Sequence, residues 1–496
     1  MKTIKHITRL CALSAFMANA WAGTTSIIAD GTTVTLQDDD TVVTTGAGSA
    51  YYGLNATNAG NISVANPDSD SIQISVSGSG TRAVSAYSGS TINIGTGSTI
   101  TSELGGVLVA NASSISGNSL TLKQENTASN STGIGASTGA SINVGANTSF
   151  TYKGGYRGIS IATNASFTAT EGFTYVSYEK SSGNNIDIYA ERGGNIDLGK
   201  NASITSQAVR ALYVLGENSS LRAEDSVIVN TFGMGAQAGA ESSITLINTS
   251  VTAEKAALAI STATGGTYTG DATLNIIGGD YYSETDSVIF VQGGGTSNVN
   301  AVVNIDDGAI LNSANGTMID TSDVTIITST MIAINVSGEN TSIGGRVLDN
   351  TNVVTLSVSD NATWTSEGSS NIDKLVLDNA NIVLTLTEQG DAINVGEMST
   401  SGSNDILIDF GNDFLNEITD GFMFDTDTAI IIGSGEKDNI NYIITDHNKD
   451  GSTWDVTDNL DGTYTISNIN VVPEPATYAV IFGALALALV AYRRRK

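Results

Sequence analysis

Apolar and polar residues alternate in short runs that recur along the chain. The clearest copies align without gaps and cover residues 89–102, 139–152 and 193–206. In the first copy Ile92 and Ile94 flank a polar residue, and Ile100 follows eight positions after Ile92. Because side chains alternate between the two faces of a strand, this pattern predicts short β-strands separated by turns at Gly and Asn.

Weaker apolar runs fall between these copies, so the repeat is about half as long as the spacing of the copies. Successive runs are mostly 23 to 30 residues apart. They are centred on positions 84, 107–109, 134, 159–161, 186–188, 212–214, 234, 258–260 and 288–291. Periods of 20–50 residues are typical of solenoids, in which each unit buries its apolar face against its neighbours. We therefore predict an all-β fold, a right-handed parallel β-helix. A β-sandwich array is the alternative, but it does not explain near-identical repeats.

The repeat weakens towards residue 389, and the following stretch differs in composition. Residues 390–471 have a denser aromatic content, with Phe410, Phe414, Phe422 and Phe424. An open solenoid end needs a cap, because unpaired strand edges promote aggregation. The sequence thus predicts a parallel β-helix repeat domain at 23–389 and a small C-terminal β cap at 390–471.

The first residues have the layout of a secretory signal peptide. Basic residues precede an apolar stretch from Leu10 to about Met17, and small residues follow up to Ala22. Basic region, apolar region and A-x-A site in this order predict a signal peptide at 1–22, with cleavage after Ala22 or, alternatively, after Ala20. A first transmembrane helix is less consistent with so short an apolar stretch.

The last 25 residues combine three features. Pro473, Glu474 and Pro475 precede an apolar segment at 476–492, which has the length of a transmembrane helix, and the chain ends on Arg493, Arg494, Arg495 and Lys496. This layout resembles the PEP-CTERM sorting signal of Gram-negative bacteria, here at 472–496. The resemblance implies an exosortase-type enzyme as partner, processing near the Pro-Glu-Pro motif, and delivery to the cell surface or exopolysaccharide matrix. The alternative is an ordinary C-terminal membrane anchor.

Residues 353–384 resemble the last rungs of autotransporter passenger domains, which are also β-helices. The resemblance is partial, because only about 110 residues follow, too few for a twelve-stranded translocator barrel. We therefore expect export through the general secretion route.

The charge and the cysteine content limit the partners and the kinds of site that this chain can have. The chain has 496 residues and a formal net charge of −29. Without the two terminal segments it keeps 14 basic and 49 acidic residues, since seven basic residues and Glu474 are lost. This charge argues against a nucleic-acid partner and favours divalent cations or basic partners. With Cys11 as the only cysteine, the composition excludes a disulfide scaffold and a zinc site built from Cys and His clusters.

Few residues suggest a metal site or a catalytic site. Asp446, Asn448 and Asp450 match the first half of a calcium loop, but Thr457 stands where a bidentate carboxylate is required, so a plain Asx-rich turn is the alternative. His447 lies in the same polar run, which predicts a surface histidine and not a catalytic base.

Three further groups of residues are candidates for an active or binding site. The acidic runs 38–40 and 306–307 are not expected to converge, because adjacent strand residues point to opposite faces. The tyrosine pairs 51–52 and 281–282 could stack on sugar rings, but isolated surface tyrosines are the commoner outcome. Arg157, Arg210 and Arg346 stand alone in the sequence.

These patterns lead to one functional prediction. We expect a secreted, non-catalytic β-solenoid that acts as a structural or adhesive component of the cell surface or extracellular matrix. It would contact extracellular polysaccharide or surface glycans and would meet the membrane through its C-terminal helix before processing. No catalytic, cofactor-binding or metal residue is assigned. The alternative is a polysaccharide lyase or hydrolase on the same scaffold.

Overall fold

The computed structural model describes most of the chain between its two ends. The described residues are 26–45, 51–125, 132–178, 185–261, 268, 270–293, 299–321, 331–349, 351, 353–418, 421–435, 438–445 and 454–468. The predicted signal peptide at 1–22, the sorting signal at 472–496 and the calcium loop around His447 lie outside these residues. They therefore remain predictions.

Short strands make up nearly all of this structure and are numbered in chain order. The first are β1 (Ile27–Asp30), β2 (Thr33–Leu36), β3 (Asp40–Thr45), β4 (Tyr52–Thr57), β5 (Asn61–Val64), β6 (Ile72–Tyr87), β7 (Thr91–Thr96), β8 (Thr99–Asn111), β9 (Ser114–Asn118), β10 (Thr121–Gln124), β11 (Ile134–Ser137), β12 (Ser141–Val144), β13 (Ser149–Tyr152), β14 (Arg157–Ala162), β15 (Ser166–Ala169), β16 (Thr174–Ser177), β17 (Ile186–Glu191), β18 (Asn195–Lys200), β19 (Ser203–Ser206), β20 (Arg210–Leu215), β21 (Ser219–Glu224), β22 (Val227–Asn230) and β23 (Met234–Ala238).

The second half continues in the same way and includes a small helical insertion near its end. Its strands are β24 (Ser242–Ile247), β25 (Ser250–Ala253), β26 (Leu258–Ser261), β27 (Ala272–Ile277), β28 (Asp280–Ser283), β29 (Ile289–Gln292), β30 (Ala301–Asp306), β31 (Ile310–Ser313), β32 (Thr317–Asp320), β33 (Ile332–Val336), β34 (Ser342–Gly344), β35 (Arg346–Leu348), β36 (Val354–Ser359), β37 (Thr363–Glu367), β38 (Ser370–Asp378), β39 (Asn381–Leu386), β40 (Ile393–Ser401), β41 (Asn404–Phe410), β42 (Phe422–Asp425), β43 (Ile430–Gly435), β44 (Ile440–Ile444), β45 (Trp454–Asp458) and β46 (Thr463–Asn468). Helix α1 (Asn412–Glu417) and a 3-10 turn (Thr426–Thr428) lie between β41 and β43.

Successive strands fall into three parallel stacks, which form faces A, B and C of the solenoid. Together they make one 43-stranded sheet. Face A begins with β1 and β4, face B with β2 and β5, and face C with β3. The long strands β6 and β8 pass from face C to face A, and β38, β40 and β43 pass from face A to face B. The chain is therefore an all-β parallel β-solenoid, which confirms the predicted coiled architecture.

The repeat found in the sequence corresponds to two coils of this solenoid. On face B, Ile92 pairs with Ile115, which pairs with Ile142 in turn, so the two aligned copies lie two coils apart. Both isoleucines of the aligned copies are at most 1% exposed. Each such buried side chain contributes about 1.5–3 kcal/mol relative to an exposed one, which explains why the alternation persists.

Aromatic residues fill part of the same core on face C. Phe150 pairs in register with Tyr175, and their ring centroids lie 5.5 Å apart in an edge-to-face arrangement. Tyr175 pairs with Ile204 of the next strand. The inward residues of the third repeat copy therefore lie directly above those of the second.

Left-handed backbone conformations mark the corners after faces A and B. Asn147, Asn201 and Asn248 adopt φ angles of 55°, 55° and 46° at corners between faces B and C in every second coil. Asparagine tolerates this region because its short side chain can hydrogen-bond locally. The predicted role of Asn at the turns is therefore confirmed.

The stretch predicted as a C-terminal cap contains two kinds of structure. Strands β40, β41, β43 and β44 still pair in parallel with the preceding coil. Strands β42, β46 and β45 form a separate antiparallel sheet. Phe410 links the two parts, because its ring centroid lies 5.3 Å from those of Phe414 and Phe424.

Helices are rare in the described part of the chain, and none of them is long and apolar enough to cross a membrane. The predicted transmembrane segment at 476–492 lies outside the described residues.

Candidate binding face

The acidic run at 38–40 builds a corner between faces B and C. Asp38 Oδ1 accepts a hydrogen bond of 2.9 Å from the backbone N–H of Ser71, and Asp40 Oδ2 accepts one of 2.8 Å from that of Gln37. Asp39 lies between them with a φ of 62°. These carboxylates hold the turn and do not converge, as the sequence predicts.

The second acidic run has the same role in a later coil. Asp306 Oδ1 accepts a hydrogen bond of 2.7 Å from the backbone N–H of Asp307, which adopts a φ of 56°. Within the described ranges, no group of three or more His, Cys, Asp or Glu side chains is arranged to hold a metal ion.

The two tyrosine pairs are split by the alternation of the strands. Tyr281 is 1% exposed and belongs to the core of face C, whereas Tyr282 points outward and is 42% exposed. Tyr51 is also exposed, and Tyr52 is half-buried. Neither pair forms a two-ring platform for a sugar.

The arginines that stand alone in the sequence are brought together on face A. Arg157 of β14 pairs in register with Ile186 of β17, which pairs with Arg210 of β20. The two arginines therefore occupy one axial position about 10 Å apart, at the usual spacing of about 4.8 Å between strands. Arg82 of β6 stands at the equivalent position, two residues before the inward Val84, as Arg157 stands before Ile159.

Arg346 extends this series towards the C-terminal end. It opens β35 and pairs with Thr317 of β32, one residue before the inward Val347. We call Arg82, Arg157, Arg210 and Arg346 the arginine column. The sequence carries a signal for this column, because an arginine precedes the inward apolar residue by one or two positions in all four coils.

Tyrosine rings lie beside the arginine column. Tyr189 and Tyr213, which pair in register on β17 and β20, are stacked with ring centroids 5.5 Å apart. The guanidinium carbon of Arg157 lies 4.0 Å from the Tyr189 centroid, and that of Arg210 lies 5.1 Å from the Tyr213 centroid. Cations over aromatic faces are attracted to the ring quadrupole, so each ring holds its arginine in place.

Amide groups complete this arrangement. Arg210 Nε donates to Gln237 Oε1, and Gln237 Nε2 donates to Gln292 Oε1 over 2.5 Å. Gln237 is fully buried although it lies on the outward side of β23. We call Arg157, Tyr189, Arg210, Tyr213 and Gln237 the Arg–Tyr patch.

The charges of the two arginines are balanced differently. Arg157 Nη1 lies 3.6 Å from Glu191 Oε1, and the Tyr189 hydroxyl donates to the other oxygen of Glu191 over 2.8 Å. Arg210 is 9% exposed, and among the described residues no carboxylate oxygen lies within 4.0 Å of its guanidinium nitrogens. Burial of Arg210 lowers the pKa of its guanidinium, and burial of Tyr213 raises the pKa of its hydroxyl although the charge of Arg210 opposes this rise. Arg210 thus carries a buried positive charge that is not matched by a described carboxylate.

A single carboxyl group is buried on the inner side of the same coils. Asp187 of β17 is 4% exposed, and its Oδ2 accepts hydrogen bonds of 2.7 Å from the Ser177 hydroxyl and 2.6 Å from the Ser206 hydroxyl. Desolvation by burial raises the pKa of Asp187 to about 6, and the two hydroxyl groups oppose this rise. This carboxyl group therefore changes charge near pH 6.

The remaining predicted residues cannot be placed on this surface. Pro473, Glu474 and Pro475, the basic residues at 493–496 and the group Asp446, Asn448 and Asp450 lie outside the described residues. Comparison with known proteins adds no assignment, because no family model matches the chain and no curated protein matches it significantly.

Proposed function

We propose that this protein is an exported, non-catalytic β-solenoid that serves as a structural or adhesive component of the cell surface or extracellular matrix. The observation that carries the proposal is the combination of one continuous parallel solenoid with a predicted delivery signal at each end. A solenoid of stacked coils presents long flat faces, which suit extended ligands and neighbouring rods. The coil is proposed to be right-handed, the usual hand of parallel strand crossovers.

The delivery route belongs to the same proposal. The signal peptide at 1–22 directs the chain through the general secretion route, and the helix at 476–492 holds it in the membrane until an exosortase-type enzyme acts near Pro473–Pro475. The destination is the surface or matrix of a Gram-negative cell. The resemblance of residues 472–496 to a PEP-CTERM signal supports this step.

A non-catalytic role is supported by the use of the acidic residues. Asp38, Asp40 and Asp306 hold corner turns by accepting backbone hydrogen bonds. Hydrolysis or elimination on a polysaccharide requires carboxylates that converge on the substrate. The rival function is a polysaccharide lyase or hydrolase on this scaffold.

A deletion strain tests the proposal against its rival. We expect loss of the protein to reduce attachment of the cells or retention of their matrix, and the full-length chain to restore it. A chain that lacks residues 472–496 should be exported but fail to restore attachment. Release of reducing ends or unsaturated sugars from extracellular polysaccharide by the purified protein would instead establish the enzymatic alternative.

A further inference from the structure

Arginine is distributed unevenly over this acidic protein. The chain has six arginines between residues 23 and 472. Four of them form the arginine column on face A, and Arg192 lies at the corner that follows β17. Only Arg222 belongs to face B. Face A is therefore the surface on which this chain concentrates its guanidinium groups.

Three members of the arginine column differ in their partners from two cations of face B. Arg222 contacts Asp197 and Glu224, and Lys200 contacts Glu224, so these cations are neutralised on face B. Within the described residues, Arg82, Arg210 and Arg346 have no carboxylate oxygen within 4.0 Å. A buried guanidinium without a counter-charge costs free energy, and an anion that binds from outside removes this cost.

We infer that face A binds a linear acidic polysaccharide along the arginine column, with a sugar carboxylate paired to Arg210. This inference rests on the proposed adhesive function and names the class of its ligand. The planar guanidinium fits a carboxylate through two parallel hydrogen bonds, which a lysine cannot reproduce.

The spacing of the column favours a polymer that is less densely charged than a nucleic acid duplex. Along face A, three strand steps separate Arg82 from Arg157, two separate Arg157 from Arg210, and five separate Arg210 from Arg346. These steps correspond to about 14, 10 and 24 Å. A duplex nucleic acid carries one charge per about 1.7 Å, which is much closer than the spacing of these arginines.

Aromatic rings near the arginine column are suited to contact with a sugar. Tyr156 is 43% exposed and lies against Arg157, whose guanidinium carbon is 4.7 Å from its centroid. Tyr213 is half-buried, and Arg82 lies over Tyr87 in the same way at 5.6 Å. Tyrosine rings at such places can stack on sugar rings, whose hydroxyl groups need polar partners.

The test measures binding of the full-length protein to alginate, a polymer of uronic acids, with dextran as the neutral polymer and single-stranded poly-dT as the nucleic acid. We expect binding to alginate that weakens with salt, since charge pairs near a surface are screened. Arg210→Gln should weaken it about tenfold or more, and Arg210→Lys should restore it only in part. The matched control is Arg222→Gln on face B, which should change affinity less than twofold.

Several outcomes would overturn the inference. These are equal binding of dextran, tighter binding of poly-dT, no binding of alginate, or an equal loss in the Arg222→Gln control. If circular dichroism shows that Arg210→Gln does not fold, Arg346→Gln is tested in its place, because Arg346 is only half-buried. This variant should also weaken the binding of alginate. If the protein reaches the cell surface but does not bind alginate, this inference is refuted and the proposed function is not. If the protein binds alginate but stays inside the cell, the proposed function is refuted and this inference is not.

Discussion

The buried carboxyl group of Asp187 makes the stability of the central coils depend on pH. Burial raises its pKa from 3.8 to about 6, although the hydroxyls of Ser177 and Ser206 donate to it. The protein therefore favours the protonated form of this group more strongly than the unfolded chain does. Below about pH 4 the group is protonated in both states and has no effect on stability.

The sign and size of the effect follow from the two pKa values. Between about pH 4 and pH 6 the folded state binds more protons than the unfolded state, so the free energy of unfolding falls as the pH rises. Above pH 6 the loss is complete. A difference of about two pKa units corresponds to about 3 kcal/mol, at about 1.4 kcal/mol for each unit.

The substitution Asp187→Asn removes the charge and keeps an oxygen that can accept from the two serine hydroxyls. We expect the stability difference between this variant and the wild type to shift by about 3 kcal/mol in favour of the variant from pH 4 to pH 7. Any constant cost of the amide cancels in this comparison. Hydrogen exchange of peptides from β16 to β20 measures the difference, because coils open locally in long repeat proteins.

A second variant tests how a neighbouring hydroxyl group affects the pKa of Asp187. Ser206→Ala removes a donor that favours the charged form, so the pKa of Asp187 should rise further above 6 and the loss of stability should extend to higher pH. A stability difference between Asp187→Asn and wild type that is the same at pH 4 and pH 7 would refute the reasoning.

Three further predictions concern other coils. Asp349→Ala should lower the free energy of unfolding by about 3 kcal/mol in urea denaturation, because Asp349 Oδ2 accepts from the backbone N–H groups of Val353 and Val354 over 2.9 and 2.8 Å; a loss below about 0.5 kcal/mol would contradict this. Trp364→Ala should cost about 3–5 kcal/mol, since the indole is fully buried and a cavity remains; Trp364→Phe should cost less, and equal losses would argue against a packing effect. Lys374→Gln should change stability by less than about 0.5 kcal/mol despite its 2.6 Å contact with Glu397, because both side chains are exposed to solvent.

The core of the solenoid could be predicted because it depends on local alternation. Ile92, Ile142 and Ile196 occupy one inward position of face B, and each is predictable from its own few neighbours. The corners follow from the conformational preferences of Gly and Asn in the same way. The lack of convergence in the acidic run at 306–307 was also predictable, since consecutive strand residues cannot share a face.

The Arg–Tyr patch could not be predicted from local pattern. Arg157 and Arg210 are 53 residues apart, and their alignment requires the strand register on face A, including coils whose connecting segments differ in length. Asp187 presents a second difficulty. Its neighbours Ile186 and Ile188 predict a buried strand, but only the packed structure shows that the aspartate between them is itself enclosed.

The most direct test of the proposed function is the intact mass of the protein recovered from its own cells, with mapping of the terminal peptides in each cell fraction. We predict a chain in the surface or matrix fraction that has lost residues 1–22 and everything beyond about Pro475. A chain that remains in the inner membrane with Arg493–Lys496 intact would contradict sorting and identify a simple membrane-anchored protein.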